Sequence, residues 1–226
     1  MLRAFINRQL GKFGYQLSRA HGIAATYRLL RHHEYFADKL RRVASIEGDI
    51  VECGVGVGHS LMLLLTLAYE EGKGRIVWGL DSFQGYPEPS EEDASELRNP
   101  KKGQWNNITP ETLNDILFRR CQLPAPARGQ LQIVPGFFAD TLPKFEARNI
   151  ALLHLDVDLY QSYKDCLTHL YSKVQPGGVI LFDEYRQGNV SEVFPGAAKA
   201  IDEFFADKPE KPMRDARFDK FFTVKA

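Results

Sequence analysis

The sequence predicts a doubly wound α/β fold built on a mostly parallel sheet, with N-terminal helices and a C-terminal hairpin. Short apolar runs alternate with helical segments along the chain, which is the pattern of a parallel sheet with crossover helices. These runs are apolar on both faces, as in a sheet that is covered on both sides. A chain of 226 residues that is 44% hydrophobic can bury one sizeable core. We expect a helical extension over residues 1–47 and one domain over residues 48–226.

Five runs are the predicted parallel strands, namely DIVECG (49–54), RIVWGLD (75–81), LQIVPG (131–136), IALLHLD (150–156) and GGVILFDEY (177–185). Helical periodicity separates them at residues 61–69, 110–121 and 162–173, and a last helix is predicted over residues 197–205. The Pro-containing stretch EKPMRDARFDKFFTVKA that ends the chain is too short for another crossover, so it predicts a closing hairpin.

Residues 2–19 predict a basic amphipathic helix, and a second helix is expected over residues 24–45. Residues 1–42 carry nine basic and two acidic side chains. Two interpretations of the first helix stay open. It either contacts a membrane surface or a lipid-linked substrate as a peripheral element, or it packs on its own domain or on a second subunit of a homo-oligomer.

The composition excludes several classes of protein. Lys plus Arg and Asp plus Glu each total 29, so no overall charge indicates a nucleic-acid partner. The three cysteines cannot all be bridged and form no metal-type pair. No apolar run approaches the roughly 20 residues that span a bilayer, and the first residues lack the apolar stretch of a signal peptide. We therefore expect a cytoplasmic protein.

Residues 84–109 form a long segment with little periodicity, rich in Pro, Gly, Asn and charge. Segments longer than about 12–15 residues inside a compact domain are usually lids or binding loops. This segment follows the carboxyl end of a strand, where open α/β sheets bind ligands. A lid is the preferred interpretation over a linker.

The stretch VECGVGVGHS closes the first strand and opens a helix. Glycines 54, 56 and 58 allow a ligand to approach the backbone, and the helix start offers free N–H groups. The spacing differs from the G-x-G-x-x-G of dinucleotide dehydrogenases. Glu52 suits the ammonium of a methionine moiety better than a pyrophosphate, and Asp81 is placed to accept two ribose hydroxyls. Together these features favour S-adenosylmethionine over NAD.

Acidic residues follow two predicted strands at their carboxyl ends, Asp156 after the fourth and Asp183 with Glu184 after the fifth. Adjacent parallel strands lie about 4.8 Å apart, so these carboxylates can converge. Carboxylate oxygens without nearby Cys or His suit Mg²⁺ or a similar divalent cation. The alternative is neutralisation by ion pairs with Lys164, Lys173 or Arg186.

Six segments in this order resemble the macrocin O-methyltransferase (TylF-like) family: ECGVGVGHS, LDSFQGYP, GFFADTLP, LLHLDVDLYQSYKDCL, GGVILFDEY and GAAKAIDEFF. The resemblance covers about residues 48–207. It implies a class I, Rossmann-like methyltransferase fold and a Mg²⁺-dependent enzyme that methylates a sugar hydroxyl of a glycosylated metabolite or polysaccharide.

The resemblance also assigns roles by position. It implies metal ligands at Asp156, Asp183 and Glu184 and a base at Asp158. The implied contacts to S-adenosylmethionine are Glu52, Gly54, Gly58, Ser60, Asp81 and Ser82, with Phe137 and Phe138 near the adenine. The chain departs from the family at two places. Asp183 and Glu184 occupy positions where the family commonly has two aspartates. His59, directly before Ser60, replaces the usual second glycine.

The resulting hypothesis is metal-assisted methyl transfer to a sugar hydroxyl, with Asp158 taking the proton. Tyr86 and Trp105 of the lid would exclude water. His154 either assists the reaction or is a core histidine. The alternatives are a catechol or other vicinal diol as the acceptor, an NAD-dependent oxidoreductase, and a non-catalytic protein that binds S-adenosylmethionine.

Overall fold

The computed structural model describes residues 26–106, 108–147, 149–186 and 188–226. The chain divides into two compact units, residues 1–30 and 31–226. The helix predicted over residues 2–19 lies outside the described residues, and the extension assigned to residues 1–47 stays a prediction. In the described part of the first unit, Thr26 Oγ1 accepts a hydrogen bond from the Leu29 N–H at 3.2 Å, as at a helix start.

Seven strands form one sheet in the described part of the chain: β1 Asp49–Cys53, β2 Val77–Asp81, β3 Leu131–Pro135, β4 Ile150–Leu155, β5 Val174–Phe182, β6 Met213–Asp215 and β7 Lys220–Val224. Their order in the sheet is β3-β2-β1-β4-β5-β7-β6. The pairs from β3 to β5 are parallel. Strand β7 runs antiparallel to both β5 and β6. The predicted doubly wound, mostly parallel sheet and its closing hairpin are confirmed.

Seven α-helices accompany the sheet in the described residues: α1 Tyr27–Arg42, α2 His59–Glu71, α3 Pro110–Asp115, α4 Phe138–Thr141, α5 Tyr160–Leu170, α6 Val190–Val193 and α7 Pro195–Phe205. Helix α3 begins at the cap residue Thr109, whose side chain accepts from the Thr112 N–H, and continues as a π-helical turn over Ile116–Arg120. Helix α1 is shorter than predicted. Each described helix has too few apolar residues in succession to cross a membrane.

The core lies on both faces of the central strands. Every residue of β4 is buried, and so are four of the five residues of β1. Fully burying one such aliphatic side chain contributes about 1.5–3 kcal/mol. Strand β3 lies at the edge of the sheet and its residues are only partly buried, which corrects the expectation of a strand covered on both faces there.

The carboxyl ends of the central strands lie at one edge of the sheet because these strands are parallel. The hydrogen-bond ladders between them also continue past the ends of the strands. The Gly54 N–H donates to Leu80 O at 2.9 Å, the Asp156 N–H to Cys53 O at 3.0 Å, and the Asp183 N–H to Leu155 O at 3.0 Å. The glycine turn and the acidic residues therefore follow neighbouring strands at the same edge of the sheet.

Candidate active site

The glycine turn after β1 is shaped by the end of β4. Gly54 has φ 85°, and a Cβ there would overlap the backbone carbonyl oxygen of Asp156. Gly56 has φ 51°, and a Cβ there would meet nothing within 4 Å. A side chain at Gly54 is excluded by the protein itself, whereas Gly56 borders open space that a ligand can enter.

Helix α2 begins directly after this turn, with Gly58 at its N-cap. A Cβ at Gly58 would overlap the side chain of Leu113. Among the described residues no side chain caps this helix start, so the first N–H groups of a 13-residue helix remain available to a polar group. Ser60 is partly buried in the first turn, and His59 is exposed beside it.

Asp81 at the end of β2 holds the turn in place. Its Oδ2 accepts from the N–H groups of Val55 at 2.9 Å and Gly56 at 3.0 Å, and its Oδ1 accepts from the Phe83 N–H at 2.8 Å. A carboxylate has about four acceptor positions, so capacity remains for a hydroxyl. Ser82 donates to Gly85 O at 2.7 Å and accepts from the Gln84 N–H at 3.0 Å, which fixes the start of the 84–109 segment.

The two predicted adenine contacts differ in their surroundings. Phe138 is the first residue of α4 and packs against the hydrophobic core. Phe137 precedes the helix and is partly exposed. Both side chains are partly buried, and the adenine contact assigned to each stays a prediction.

Glu52 and His154 form a buried pair between β1 and β4. Glu52 is fully buried, and its Oε1 lies 3.0 Å from Nδ1 of His154. Glu52 Oε2 has no hydrogen-bond partner among the residues that the structure describes. Burial lowers the pKa of His154, but the hydrogen bond and charge of Glu52 outweigh it, so the pKa is raised.

The ring of Phe36 on α1 meets the His154 ring edge-on, with the centroids 5.0 Å apart. These surroundings are those of a core histidine, which is one of the two roles that the sequence left open for His154. Only one oxygen of the Glu52 carboxylate contacts His154, and the contact of Glu52 with a methionine ammonium stays a prediction.

Three carboxylates converge after β4 and β5. One oxygen each of Asp156, Asp158 and Glu184 lies within 4.8 Å of the other two. Burial and the charge of Asp183 raise the pKa of Asp156 to about 7. Burial raises the pKa of Glu184 well above its usual value, and the charges of Asp156 and Asp158 add to this. Acidic oxygens crowded in this way suit a hard cation.

Glu184 is held by hydrogen bonds to its Oε2. The Tyr163 hydroxyl donates at 2.7 Å and the Asp158 N–H at 3.3 Å. Asp158 itself has φ 61°, in the left-handed region that is uncommon for a residue with a side chain. A strained conformation at a candidate base suggests that the surrounding contacts determine its position.

Asp183 lies outside this cluster, in contrast to the predicted set of metal ligands. Its carboxylate pairs with Lys220 of β7. Burial raises its pKa, but Lys220 and His154 outweigh burial and the pKa is lowered. Asp183 and Glu184 therefore have different partners, Lys220 for the first and the carboxylates of Asp156 and Asp158 for the second.

The predicted neutralising cations bind elsewhere. Lys173 donates to Phe145 O at 2.6 Å, Lys164 lies 3.2 Å from the Tyr160 hydroxyl, and Arg186 pairs with Asp202. Ion pairing of the acidic residues does occur, but through Lys220 and through Arg98, neither of which the sequence analysis singled out.

The 84–109 segment contacts Asp158 directly. The Tyr86 hydroxyl donates to Asp158 Oδ2 and accepts from the Arg98 guanidinium. Arg98 Nη2 lies 3.3 Å from the same carboxylate oxygen. The guanidinium also stacks over the Phe194 ring, 4.1 Å from its centroid. Asp158 Oδ2 is therefore fixed by two residues of this segment.

Comparisons with known proteins identify the family of this chain. A family model described as Macrocin-O-methyltransferase (TylF) matches residues 16–215. The demethyldecarbamoylnovobiocin O-methyltransferase of Streptomyces niveus is 33% identical over 165 residues, which are 72% of this chain and 60% of that protein.

A second relative, from Streptomyces olivaceus, is the 8-demethyl-8-(2,3-dimethoxy-alpha-L-rhamnosyl)-tetracenomycin-C 4'-O-methyltransferase. It is 33% identical over 143 residues, which are 62% of this chain and 54% of the relative. The chain thus spans less than two thirds of the length of either relative. The solved structure of the O-methyltransferase NovP is similar with a TM-score of 0.70 and 27% identity, covering 93% of this chain and 84% of that one. From the family match over residues 16–215, this chain belongs to the macrocin O-methyltransferase (TylF) family.

Proposed function

We propose that this protein transfers the methyl group of S-adenosylmethionine to a hydroxyl of a sugar, in a glycosylated metabolite or a polysaccharide precursor, with the help of a divalent cation. The observation that carries the proposal is the closeness of the glycine turn and the carboxylate cluster, since Gly54 packs against the backbone of Asp156. The names of the relatives support the reaction, and one of them specifies a rhamnosyl group.

The donor would bind at the glycine turn. The open space at Gly56 and the uncapped start of α2 suit its methionine moiety. Asp81 would accept from a ribose hydroxyl with the acceptor position that the turn leaves available, and Ser60 and Ser82 would also contact the donor. Phe137 would contact the adenine.

The carboxylate cluster fits a cation on the chemistry of its donors, because three buried or partly buried acids lie together and burial raises the pKa of each. Asp156 and Glu184 would hold the ion, with Asp183 as a third ligand once it leaves Lys220. A bound Mg²⁺ lowers the pKa of a hydroxyl that coordinates it.

Asp158 would act as the base in this reaction. Tyr86 and Arg98 hold its Oδ2, which leaves Oδ1 to accept the proton of the sugar hydroxyl. The oxygen then forms a bond to the methyl carbon as the bond from that carbon to sulfur breaks, and S-adenosylhomocysteine leaves. Alignment of the reacting atoms at about 3–3.5 Å supplies several kcal/mol of the acceleration, and the base about 10²–10⁴-fold.

A screen of acceptors with methyl-labelled cofactor tests this function, with Mg²⁺ and with a chelator. We expect label in a glycoside, and a loss of turnover in the chelated sample. Label in a catechol but in none of the glycosides would assign the vicinal-diol alternative. A chelated enzyme that turns over at the full rate would remove the cation from the proposal. If NAD raises the melting temperature of the protein and S-adenosylmethionine does not, S-adenosylmethionine is not the donor.

A further inference from the structure

The 84–109 segment forms a cleft of about 470 Å³, lined by Leu97, Arg98, Asn99, Gln104 and Trp105. Trp105 is 66% exposed and Leu97 60% exposed. Single exposed apolar residues are ordinary on a protein surface. Here two of them share one open cleft at the surface with a guanidinium and two amides, so apolar and polar groups lie side by side.

Trp105 is held in an uncommon backbone conformation, with φ 66°. The left-handed region is unfavourable for a bulky residue, and such residues concentrate at binding sites. The two residues before Trp105 are hydrogen-bonded to the backbone of Tyr86. The Tyr86 N–H donates to Gln104 O at 2.9 Å, and the Gly103 N–H donates to Tyr86 O at 3.0 Å.

The cleft is connected to the carboxylate cluster by two routes. Tyr86 is bonded through its backbone to Gln104 and through its hydroxyl to Asp158. Arg98 lines the cleft and also lies 3.3 Å from Asp158 Oδ2. The side chain of Arg98 therefore lies between the cleft and the candidate base Asp158.

We propose that this cleft binds a pyranose ring of the acceptor, adjacent to the sugar that is methylated; the proposal rests on the proposed function. A pyranose has an apolar C–H face and a rim of hydroxyls. The indole of Trp105 presents a broad apolar face to the C–H face of the sugar. The amides of Asn99 and Gln104 can both donate to and accept from the sugar hydroxyls.

The chain offers a direct test because it contains two tryptophans. Trp78 is partly buried, with Nε1 bonded to Asp49 Oδ2 at 2.9 Å, so a sugar in the cleft should change the emission of Trp105. The probes are methyl glycosides of dipyranoses with gluco, manno and rhamno configuration. We expect a saturable emission change with at least one of them, retained in Trp78→Phe. No change with any probe would overturn the proposal.

Saturation-transfer NMR with the same glycosides measures binding in variants without the tryptophan reporter. We expect Trp105→Ala to weaken binding about tenfold, as for loss of one aromatic anchor, and Trp105→Phe to restore much of it. Equal binding by the wild type and Trp105→Ala would refute the proposal.

Turnover separates this proposal from the proposed function. With a disaccharide acceptor, Trp105→Ala should raise KM about tenfold, because the variant loses a contact with the acceptor. If Trp105→Ala methylates sugars with an unaltered KM, the cleft does not bind the acceptor and the proposed function stands. If sugars bind in a Trp105-dependent way but none is methylated, the cleft binds sugars and the proposed function is wrong.

Discussion

Asp93 Oδ1 accepts a hydrogen bond from the Tyr160 N–H at 2.7 Å, although the two residues are 67 positions apart in the chain. Asp93 is 3% exposed, and its Oδ2 accepts from the N–H and the hydroxyl of Ser90. Tyr160 opens α5, two positions after Asp158. The 84–109 segment is thus attached on both sides of Leu159, by Asp93 at Tyr160 and by Tyr86 and Arg98 at Asp158.

Asp93→Ala should loosen this attachment. The substitution leaves the Tyr160 N–H without its acceptor, which costs about 1–3 kcal/mol for a buried donor. We expect a lower free energy of unfolding in urea and a lower kcat, with the dissociation constant of S-adenosylmethionine unchanged.

Glu92→Gln is the matched control for Asp93→Ala. It removes an ion pair with Lys199 that lies 3.2 Å away at the surface, and exposed pairs contribute little. If Asp93→Ala behaves like Glu92→Gln in both measurements, the attachment does not position the segment.

Tyr86→Phe and Arg98→Lys test the two contacts to Asp158 Oδ2 separately. The first removes only the donating hydroxyl. The second keeps the charge but loses the planar group that stacks over Phe194. Each should lower kcat about tenfold, the equivalent of one hydrogen bond in the transition state. Steady-state kinetics and calorimetric binding of the donor are the measurements.

Arg119→Lys serves as the control for Arg98→Lys, because Arg119 forms an exposed pair with Asp115 instead. We expect no change in kcat. An equal effect of the two lysine substitutions would mean that the contact with Asp158 is unimportant.

The convergence of Asp156 and Glu184 could be predicted from the sequence. Alternating apolar runs determined which strands are parallel, and residues that follow neighbouring parallel strands share one edge of the sheet. Hydrophobic pattern is sufficient for such conclusions because strand burial dominates the energetics of the core. The sequence did not predict that β1 lies next to β4, which brings the glycine turn beside these acids.

The contacts of Asp183 and Asp158 could not be predicted in the same way. Lys220 meets Asp183 because Phe221 pairs with Phe182 in the antiparallel register of β7. A hairpin without strong alternation leaves that register unspecified in the sequence. Arg98 lies in an aperiodic segment, where no repeating pattern indicates which side chain turns inward.

The raised pKa of Asp156 predicts how stability depends on pH when the metal is removed. A carboxyl whose folded pKa is about 7, above its unfolded value, binds its proton more tightly in the folded state. The free energy of unfolding is therefore highest at acidic pH, where Asp156 is protonated, and it falls as the pH rises from about 4 to about 7. Asp156→Asn removes this loss.

We therefore expect Asp156→Asn to stabilise the chelated protein at pH 8, by on the order of 4 kcal/mol, and to have little such effect at pH 4. Urea unfolding at the two pH values measures the difference. Added Mg²⁺ should reverse the advantage, because the wild-type carboxylate then has a cation. Equal stability changes at both pH values would contradict the assigned pKa.

Lys220→Met should strengthen the binding of Mg²⁺ about three- to tenfold. The substitution removes a positive charge that pairs with Asp183 beside the carboxylate cluster, so it both reduces repulsion of the cation and releases a carboxylate. Isothermal calorimetry without donor or acceptor measures the affinity independently of turnover. Lys164→Met is the control, since Lys164 contacts the Tyr160 hydroxyl instead.

The third ligand is identified by combining the substitutions. If Asp183 binds the metal, Asp183→Asn should abolish most of the gain in Lys220→Met, while Asp158→Asn lowers turnover and preserves Mg²⁺ affinity. If Asp158→Asn weakens Mg²⁺ binding and Lys220→Met does not change it, Asp158 is the third ligand. In that case the proton of the acceptor needs another base, because a carboxylate held by the cation is a poor one.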